Sequence, residues 1–191
     1  MRSPDNFIVQ PLGGKQYDNV KSIGGVDFIT SVSQEDHKVS NRFAVVVSTP
    51  INYDGPVEPG DTVVVHHNVF KFFYDMKGRQ RSGKSFFMED LFFLDQDQFF
   101  LYKRDGEWKA FGKYCFVQPV KEKDSFIFKG TKNEPLVGKI KYINQQLLDL
   151  GVNVGDEVSF QPDSEYEFLI DGQKTYRMFT KNITIVLWYI V

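Results

Sequence analysis

The sequence predicts an all-β fold, and three observations lead to that prediction. The chain has 19 Phe and nine Tyr among 191 residues, and both residue types suit the half-buried surface of a sheet. Its apolar runs are short, as in strands, and they are rich in β-branched and aromatic residues. Gly, Pro, Asn or Asp bounds these runs, as expected where strands end in turns. Many short strands with regular turn signals are typical of barrels and sandwiches.

The predicted strands follow one another along the whole chain. Those of the first half cover residues 7–9, 43–47, 62–65 and 99–102, and those of the second half cover residues 114–117, 139–143, 157–160 and 183–187. Turns are predicted at Asp54-Gly55, Pro59-Gly60-Asp61 and Asp105-Gly106, and Asp171-Gly172 predicts a hairpin between residues 166–170 and 175–179. Only residues 144–150 (NQQLLDL) have a composition that could form a helical turn or two.

Three segments of the first half recur in the same order in the second half. The matches are residues 7–11 (FIVQP) with 115–119 (CFVQP), 57–63 (VEPGDTV) with 152–158 (VNVGDEV), and, in pattern only, 94–101 (LDQDQFFL) with 179–186 (FTKNITIV). Their offsets are 108, 95 and 85 residues. Three matches in sequential order predict two diverged copies of one domain, of which the first is the longer.

The repeat predicts where the domains begin and end. The first copy is expected to occupy residues 1–102 and the second residues 112–191, with residues 103–111 (KRDGEWKAF) as the connection between them. That connection is charged and contains a turn signal, and its Trp108 and Phe111 indicate that it packs rather than swings free.

Both halves resemble the GroES-like co-chaperonin family. Members begin with a strand that ends in a polar residue and Pro, followed by a long mobile loop. A Val-x-x-Gly-Asp-x-Val segment comes later, and residues 57–63 and 152–158 match it. The resemblance covers residues 5–102 and 112–191 and implies two tandem GroES-like β-barrels. Tandem copies resemble the chloroplast double co-chaperonin, and bacteriophages also carry diverged members.

The resemblance also implies a function. Family members form homo-oligomeric rings that cap or bind a GroEL-like chaperonin and assist the folding of its substrate proteins. They bind through the mobile loop, in which a Gly-Gly and three aliphatic residues dock on the chaperonin. Residues 15–38 correspond to that loop. The expected partner-binding residues are Gly24, Gly25, Val26, Phe28 and Ile29.

Two features of this sequence qualify that implication. Asp27 interrupts the apolar run of the first loop, a departure from the family pattern. The corresponding loop of the second copy, residues 121–130, is short, and its Phe126-Ile127-Phe128 reads as an alternating strand. We therefore expect the second copy to be scaffold. A structural or assembly protein with no chaperonin contact stays open as an alternative.

A second alternative is an OB-like nucleic-acid-binding module, in which exposed aromatic rings and the basic residues 77–84 would hold a single strand. The charge balance argues against nucleic acid as a partner. The chain has 23 basic and 25 acidic residues and a net charge of −2. Residues 1–102 carry 10 basic and 13 acidic side chains, and residues 112–191 carry 10 of each, so neither half has the positive field that binding phosphates requires.

No group of residues predicts catalysis, so we expect no enzyme, no cofactor and no metal. His66 and His67 are adjacent in a predicted strand and should point to opposite faces, which prevents them from sharing a metal. Cys115 lies in an apolar run and is expected to be a buried small hydrophobe. Asp95 and Asp97 fall in the predicted turn before a final strand.

Residues 78–85 match the phosphate-loop pattern Gly-x-x-x-x-Gly-Lys-Ser. A working phosphate loop follows a strand and begins a long helix. The aromatic sequence after Ser85 predicts no helix, so we interpret the segment as the basic tip of a hairpin.

The sequence also bears on location. No apolar stretch approaches the ~18 residues of a membrane span, and the first residues contain no apolar signal region. A single cysteine excludes an intramolecular disulfide and fits a reducing compartment. We expect a soluble, cytoplasmic protein.

Overall fold

The structure, a computed structural model, describes residues 1–17, 20–29, 40–121 and 133–187. It confirms the all-β prediction, with several antiparallel sheets and little helix. The chain divides into two compact units, Met1–Glu107 and Trp108–Val191. No helix among the described residues is long and apolar enough to cross a membrane.

The first unit contains six strands of a seven-stranded antiparallel sheet, and the seventh strand of that sheet begins at the unit's last residue, Glu107. In chain order the strands of the sheet are β1 (Phe7–Pro11), β4 (Phe43–Ser48), β5 (Thr62–Val65), β8 (Phe86–Met88), β9 (Leu91–Leu94), β10 (Phe99–Arg104) and β11 (Glu107–Ala110). Their order across the sheet is β11-β10-β5-β4-β1-β9-β8. Two separate two-stranded ladders complete the unit, β2 (Val20–Ile23) with β3 (Val26–Ile29), and β6 (Phe72–Tyr74) with β7 (Gln80–Ser82).

The second unit has a six-stranded antiparallel sheet. Its strands are β12 (Tyr114–Lys121), β13 (Asn133–Tyr142), β14 (Glu157–Phe160), β15 (Tyr166–Ile170), β16 (Gln173–Phe179) and β17 (Ile183–Leu187), in the order β15-β16-β12-β13-β14-β17. The predicted helical turn is confirmed as α1 (Gln145–Asp149), where the Asn144 side chain accepts a hydrogen bond from the Leu147 amide at 3.0 Å. The predicted Asp171-Gly172 hairpin joins β15 to β16.

Residues 103–111 contain the end of β10, a turn at Asp105-Gly106 and then β11. Both turn residues have positive φ, 51° at Asp105 and 85° at Gly106. Such φ values at both central positions are typical of a two-residue hairpin turn. Trp108 and Phe111 are partly buried.

The sheet of the first unit is strongly curled. The rings of Phe7 in β1 and Phe99 in β10 lie 5.2 Å apart between centroids, although β4 and β5 lie between those two strands. In a flat sheet, strands three positions apart are separated by about 14 Å. The sheet therefore wraps around a core that contains Phe7, Val9, Val63, Leu94 and Phe99, all fully buried.

Among the described residues neither sheet closes on itself, so the expected two barrels are not confirmed. Closure requires the first and last strands to pair in a register that matches the strand tilt. Among the described residues, the end strands β11 and β8 of the first sheet do not pair with each other, nor do β15 and β17 of the second. The end strand β8 has only three residues, and its pairing with β9 is irregular between Phe86 and Met88, so it offers no regular free edge.

The two sheets repeat one topology. Strands β10-β5-β4-β1-β9-β8 of the first occupy the same order as β17-β14-β13-β12-β16-β15 of the second. In both units the last strand of this set follows a one-turn 3₁₀ helix, Gln96–Gln98 or Thr180–Asn182. The repeat found in the sequence thus corresponds to a repeat of strand order in the structure.

The strand irregularities are repeated as well. The pairing shifts between Ile8 and Val9, where β1 meets β4, and between Phe116 and Val117, where β12 meets β13. In each case one residue of the partner strand, Val47 or Lys141, is passed over. A second shift occurs where β10 meets β5 and where β17 meets β14. Bulges of this kind are specific local features, so their coincidence strengthens the equivalence.

The third sequence match is wrong by one residue. Leu94 pairs with Phe7, and Met178 pairs with Cys115, so these positions are equivalent at an offset of 84 residues rather than 85. The sequence pattern aligned Leu94 with Phe179 because both are apolar. Phe179 instead takes the capping position of its 3₁₀ turn, like Asp95 in the first unit.

Candidate functional site

The segment predicted to bind a chaperonin contains a β-hairpin. β2 and β3 pair in antiparallel register, with Ile23 opposite Val26 and Val20 opposite Ile29. Gly24 and Gly25 form the two-residue turn with φ of +62° and +80°. A turn with positive φ at both positions favours glycine, because most residues that carry a Cβ atom adopt such φ values less readily.

Hydrogen bonds join the two ends of this segment. Tyr17 and Ser40 form an isolated β-bridge, and the Asn41 amide donates to the Gln16 carbonyl at 3.0 Å. The Asn41 side-chain Nδ2 also donates to the carbonyls of Leu12 at 2.9 Å and Lys15 at 2.7 Å. The two ends of the segment that connects β1 to β4 therefore lie side by side. No local pattern in the sequence predicts this role of Asn41, because its partners are 26 and 29 residues away.

The structure brings the five predicted site residues into this one hairpin. Gly24 and Gly25 are exposed at the tip, and the Val26 side chain next to them is 57% exposed. Phe28 and Ile29 lie further along β3, opposite Lys21 and Val20. Asp27 lies opposite Ser22. That these residues contact a partner stays a prediction.

Parts of the predicted loops lie outside the described residues. These are residues 18–19 and 30–38 of the first loop, which include His37, and residues 122–130 of the second, which include Phe126-Ile127-Phe128.

The Gly-Asp turns that carried the resemblance have the same hydrogen bonds in both units. The amides of Gly60 and Gly155, at φ of 96° and 94°, each donate at 2.8 Å to a buried strand residue, Val46 or Ile140. Those residues donate back to the carbonyls of Asp61 and Asp156, both at 2.9 Å. Each Asp carboxylate also accepts from the backbone three residues earlier, at 2.8 Å from Glu58 and 2.9 Å from Asn153.

The first turn has an ion pair in addition. The Arg104 guanidinium binds both carboxylate oxygens of Asp61, Nε to Oδ1 at 2.9 Å and Nη2 to Oδ2 at 2.6 Å. It also reaches the Glu58 carboxylate at 3.2 Å and the Pro56 carbonyl at 2.7 Å. Hydrogen bonding to Asp61 raises the pKa of Arg104 above its ordinary value. Such a bidentate contact fixes geometry as well as charge, so it fastens the turn to the end of β10.

The phosphate-loop pattern of residues 78–85 lies in the β6–β7 hairpin and its flank. Gly78 is in the turn with φ of +72°, β7 follows, and the chain then enters β8. Within the described part of the chain no helix begins at this segment. The backbone therefore lacks the strand-loop-helix arrangement that aims amides at a phosphate.

Asp75 organises this second hairpin. Its Oδ1 accepts hydrogen bonds from the amides of Lys77 at 2.9 Å and Arg79 at 3.0 Å, and its Oδ2 lies 3.2 Å from Arg81 Nε. These contacts, first among them the one from the Arg79 backbone, lower the pKa of the Asp75 carboxyl. The carboxylate is thus engaged in holding the turn.

Cys115, Asp95 and Asp97 lie where the sequence placed them. Cys115 is fully buried, and burial raises the pKa of its thiol to about 12, so the nucleophilic thiolate is suppressed at neutral pH. Asp95 and Asp97 lie in and beside the 3₁₀ turn before β10, as the turn prediction required. Among the described residues no three His, Cys, Asp or Glu side chains are grouped closely enough to hold a metal ion.

The expectation that His66 and His67 point to opposite faces of a strand is wrong. His66 and His67 follow β5 rather than belonging to it, so strand alternation does not apply to them. Their rings lie side by side, 4.2 Å apart between centroids and tilted by 32°. His66 Nδ1 accepts a hydrogen bond from the Asn68 amide at 3.2 Å.

Comparison with known protein families gives no match, and no curated protein is significantly similar to the chain in sequence.

Proposed function

We propose that the chain is a co-chaperonin-like protein that assembles into a ring and binds a GroEL-like chaperonin through the β2–β3 hairpin. The observation that carries the proposal is the exposed Val26 side chain beside the Gly24-Gly25 turn. The hairpin pairs with no other strand of the described chain, so its tip is free to meet a partner.

The repeated topology supports the proposal. The family resemblance predicts, for each half, a first strand, a returning strand, a Gly-Asp turn, a hairpin and a final strand after a short polar turn. Both units follow that order, and their Gly-Asp turns share hydrogen bonds to the second strand of the set, β4 or β13. The first unit carries an apolar hairpin, β2–β3, between β1 and β4, and this is the segment to which we ascribe partner binding.

The physical chemistry of such a contact is simple. Burying a valine side chain on an apolar surface contributes about 1.5–3 kcal/mol when burial is complete. A single hairpin therefore binds weakly. A ring presents several hairpins at once, and the resulting effective concentration strengthens binding by roughly 10²–10⁴-fold without a new contact.

The test compares two valine-to-aspartate variants. Val26→Asp is expected to weaken binding to a GroEL-type chaperonin in the presence of ATP by at least about tenfold, because a charge replaces the buried methyl groups. The matched control is Val154→Asp in the second unit, where the side chain has nearly the same exposure, 60% against 57%. Biolayer interferometry with the immobilised chaperonin measures both affinities.

A further variant, Phe28→Asp, extends the test along β3. If the chain binds the chaperonin and neither Val26→Asp nor Phe28→Asp weakens that binding relative to Val154→Asp, the hairpin is not the contact. If the unmodified chain does not bind, the co-chaperonin proposal itself fails, and the structural or assembly alternative is favoured.

A further inference from the structure

The β6–β7 hairpin and its flanks, residues 71–84, concentrate positive charge in a chain whose net charge is −2. We call this segment the basic hairpin. It contains one carboxylate, Asp75, and five cations, which are Lys71, Lys77, Arg79, Arg81 and Lys84. Because the field that attracts a polyanion is local, the near-neutral total charge does not describe this surface.

The single carboxylate offsets one of the five cations and is held within the turn. Asp75 accepts two backbone hydrogen bonds and pairs with Arg81, all within the turn. Within the part of the chain that the structure describes, no carboxylate lies at ion-pair distance from Lys77, Arg79 or Lys84. All three of these side chains are exposed.

Apolar side chains are exposed on the same hairpin. Phe73 and Tyr74 are each 54% exposed, and Met76 at the turn is fully exposed. The neighbouring Phe72 holds the hairpin in place, because its ring packs edge-on against Tyr17 at 5.1 Å. Phe73 lies opposite Arg81 in the ladder, so a ring and a guanidinium stand together across the two strands.

Two shallow grooves meet at Phe73. One, of about 480 Å³, is lined by Phe73, Tyr74 and Met76 together with Lys77, Arg79 and Arg81. The other, of about 380 Å³, includes Phe73 with Lys71 and Lys84. The exposed Phe73 ring therefore has cationic side chains in the grooves on both of its sides.

We propose that the basic hairpin binds single-stranded nucleic acid, with phosphates against the lysines and arginines and a base stacked on Phe73. Stacking platforms within a positively charged groove are the means by which proteins hold single strands without reading sequence. A mononucleotide site is not indicated, because the segment lacks a helix whose amides could hold a phosphate. An acidic polypeptide would satisfy the cations but would leave the ring face without a flat partner.

The test uses the full chain and fluorescence anisotropy of labelled oligothymidylate and oligouridylate, over a series of salt concentrations. Lys77→Ala/Arg79→Ala is expected to lower the slope of log K against log salt by about 1.4, since each phosphate contact contributes about 0.7 on a single strand. Phe73→Ala is expected to weaken binding by roughly 5- to 150-fold with the slope unchanged, because stacking releases no counterions.

The matched control is Lys139→Ala/Lys141→Ala, which removes two positive charges from β13 and is expected to leave binding unchanged. Circular dichroism checks that each variant folds, and Phe73→Leu, which keeps an apolar side chain but has no flat face, replaces Phe73→Ala if needed. Absence of binding, or equal weakening by the control, would overturn the proposal. Competition by polyglutamate as strong as by an oligonucleotide of equal charge would also overturn it, in favour of an acidic polypeptide. None of these outcomes depends on chaperonin binding.

Discussion

Phe116→Ala is expected to lower the free energy of unfolding of the second unit by about 3–5 kcal/mol, the usual cost of removing a buried phenylalanine ring. Phe116 is fully buried in β12. Its ring meets Phe168 and Tyr142 edge-on, at 5.7 and 6.0 Å between centroids. Neighbouring strands on both sides hold the β12 backbone, so the cavity cannot collapse fully.

Hydrogen exchange followed by mass spectrometry locates this loss, because peptides from residues 108–191 report on the second unit alone. The matched control is Phe73→Ala, which removes a 54% exposed ring and is expected to change stability by no more than about 0.5 kcal/mol. Equal losses in the two variants would contradict the packing described for β12.

Asp61→Ala is expected to destabilise the first unit more than Asp156→Ala destabilises the second. Both carboxylates accept one backbone hydrogen bond within the Gly-Asp turn. Asp61 is 5% exposed and also binds Arg104 through both oxygens, whereas the position equivalent to Arg104 in the second unit falls among the residues not described. We expect about 2–3 kcal/mol for Asp61, whose hydrogen bonds involve a charged partner, and about 1 kcal/mol for Asp156.

Urea unfolding of each variant, with hydrogen exchange to assign the loss to a unit, measures the difference. The variant Arg104→Ala separates the two contributions at Asp61, since it removes the ion pair and keeps the turn hydrogen bond. An Asp61→Ala variant no less stable than Asp156→Ala would show that the Arg104 contact contributes nothing.

Much of the fold could be predicted from the sequence because its signals are local. Residues 62–65 and 157–160 are short strands next to Gly-Asp turns, and the structure places strands at both. Asp171-Gly172 and Asn144 likewise act within a few residues, as a turn and as a helix cap. Three short sequence matches in the same order also indicated the repeat, and the strand order that the two sheets share supports it.

Features that depend on distant residues could not be predicted. Sheet closure depends on strand tilt and register, which an apolar pattern does not encode, and so barrels were expected where the sheets are open. Arg104 is 43 residues from Asp61, and no local pattern joins them.

The two hairpins of the first unit were visible in the sequence but open to other interpretations. Gly24-Gly25 between two apolar runs is itself a signal for a two-residue hairpin turn. The family resemblance implied a mobile loop at the same residues. Residues 78–85 belong to a hairpin, as expected, but they only begin in its turn and continue through β7. The charge count over residues 1–102 does not reveal the local concentration of positive charge in this hairpin. That Phe73 and Met76 are exposed is known only from the structure.

The central claim, a ring that binds a chaperonin, is tested most directly by native mass spectrometry of the free chain and of its mixture with a GroEL-type chaperonin and ATP. We expect a single closed oligomer at a whole-number multiple of 22.1 kDa, and a complex in which that oligomer adds to the chaperonin as one unit. A free chain that stays at 22.1 kDa at micromolar concentration and adds nothing to the chaperonin would contradict it.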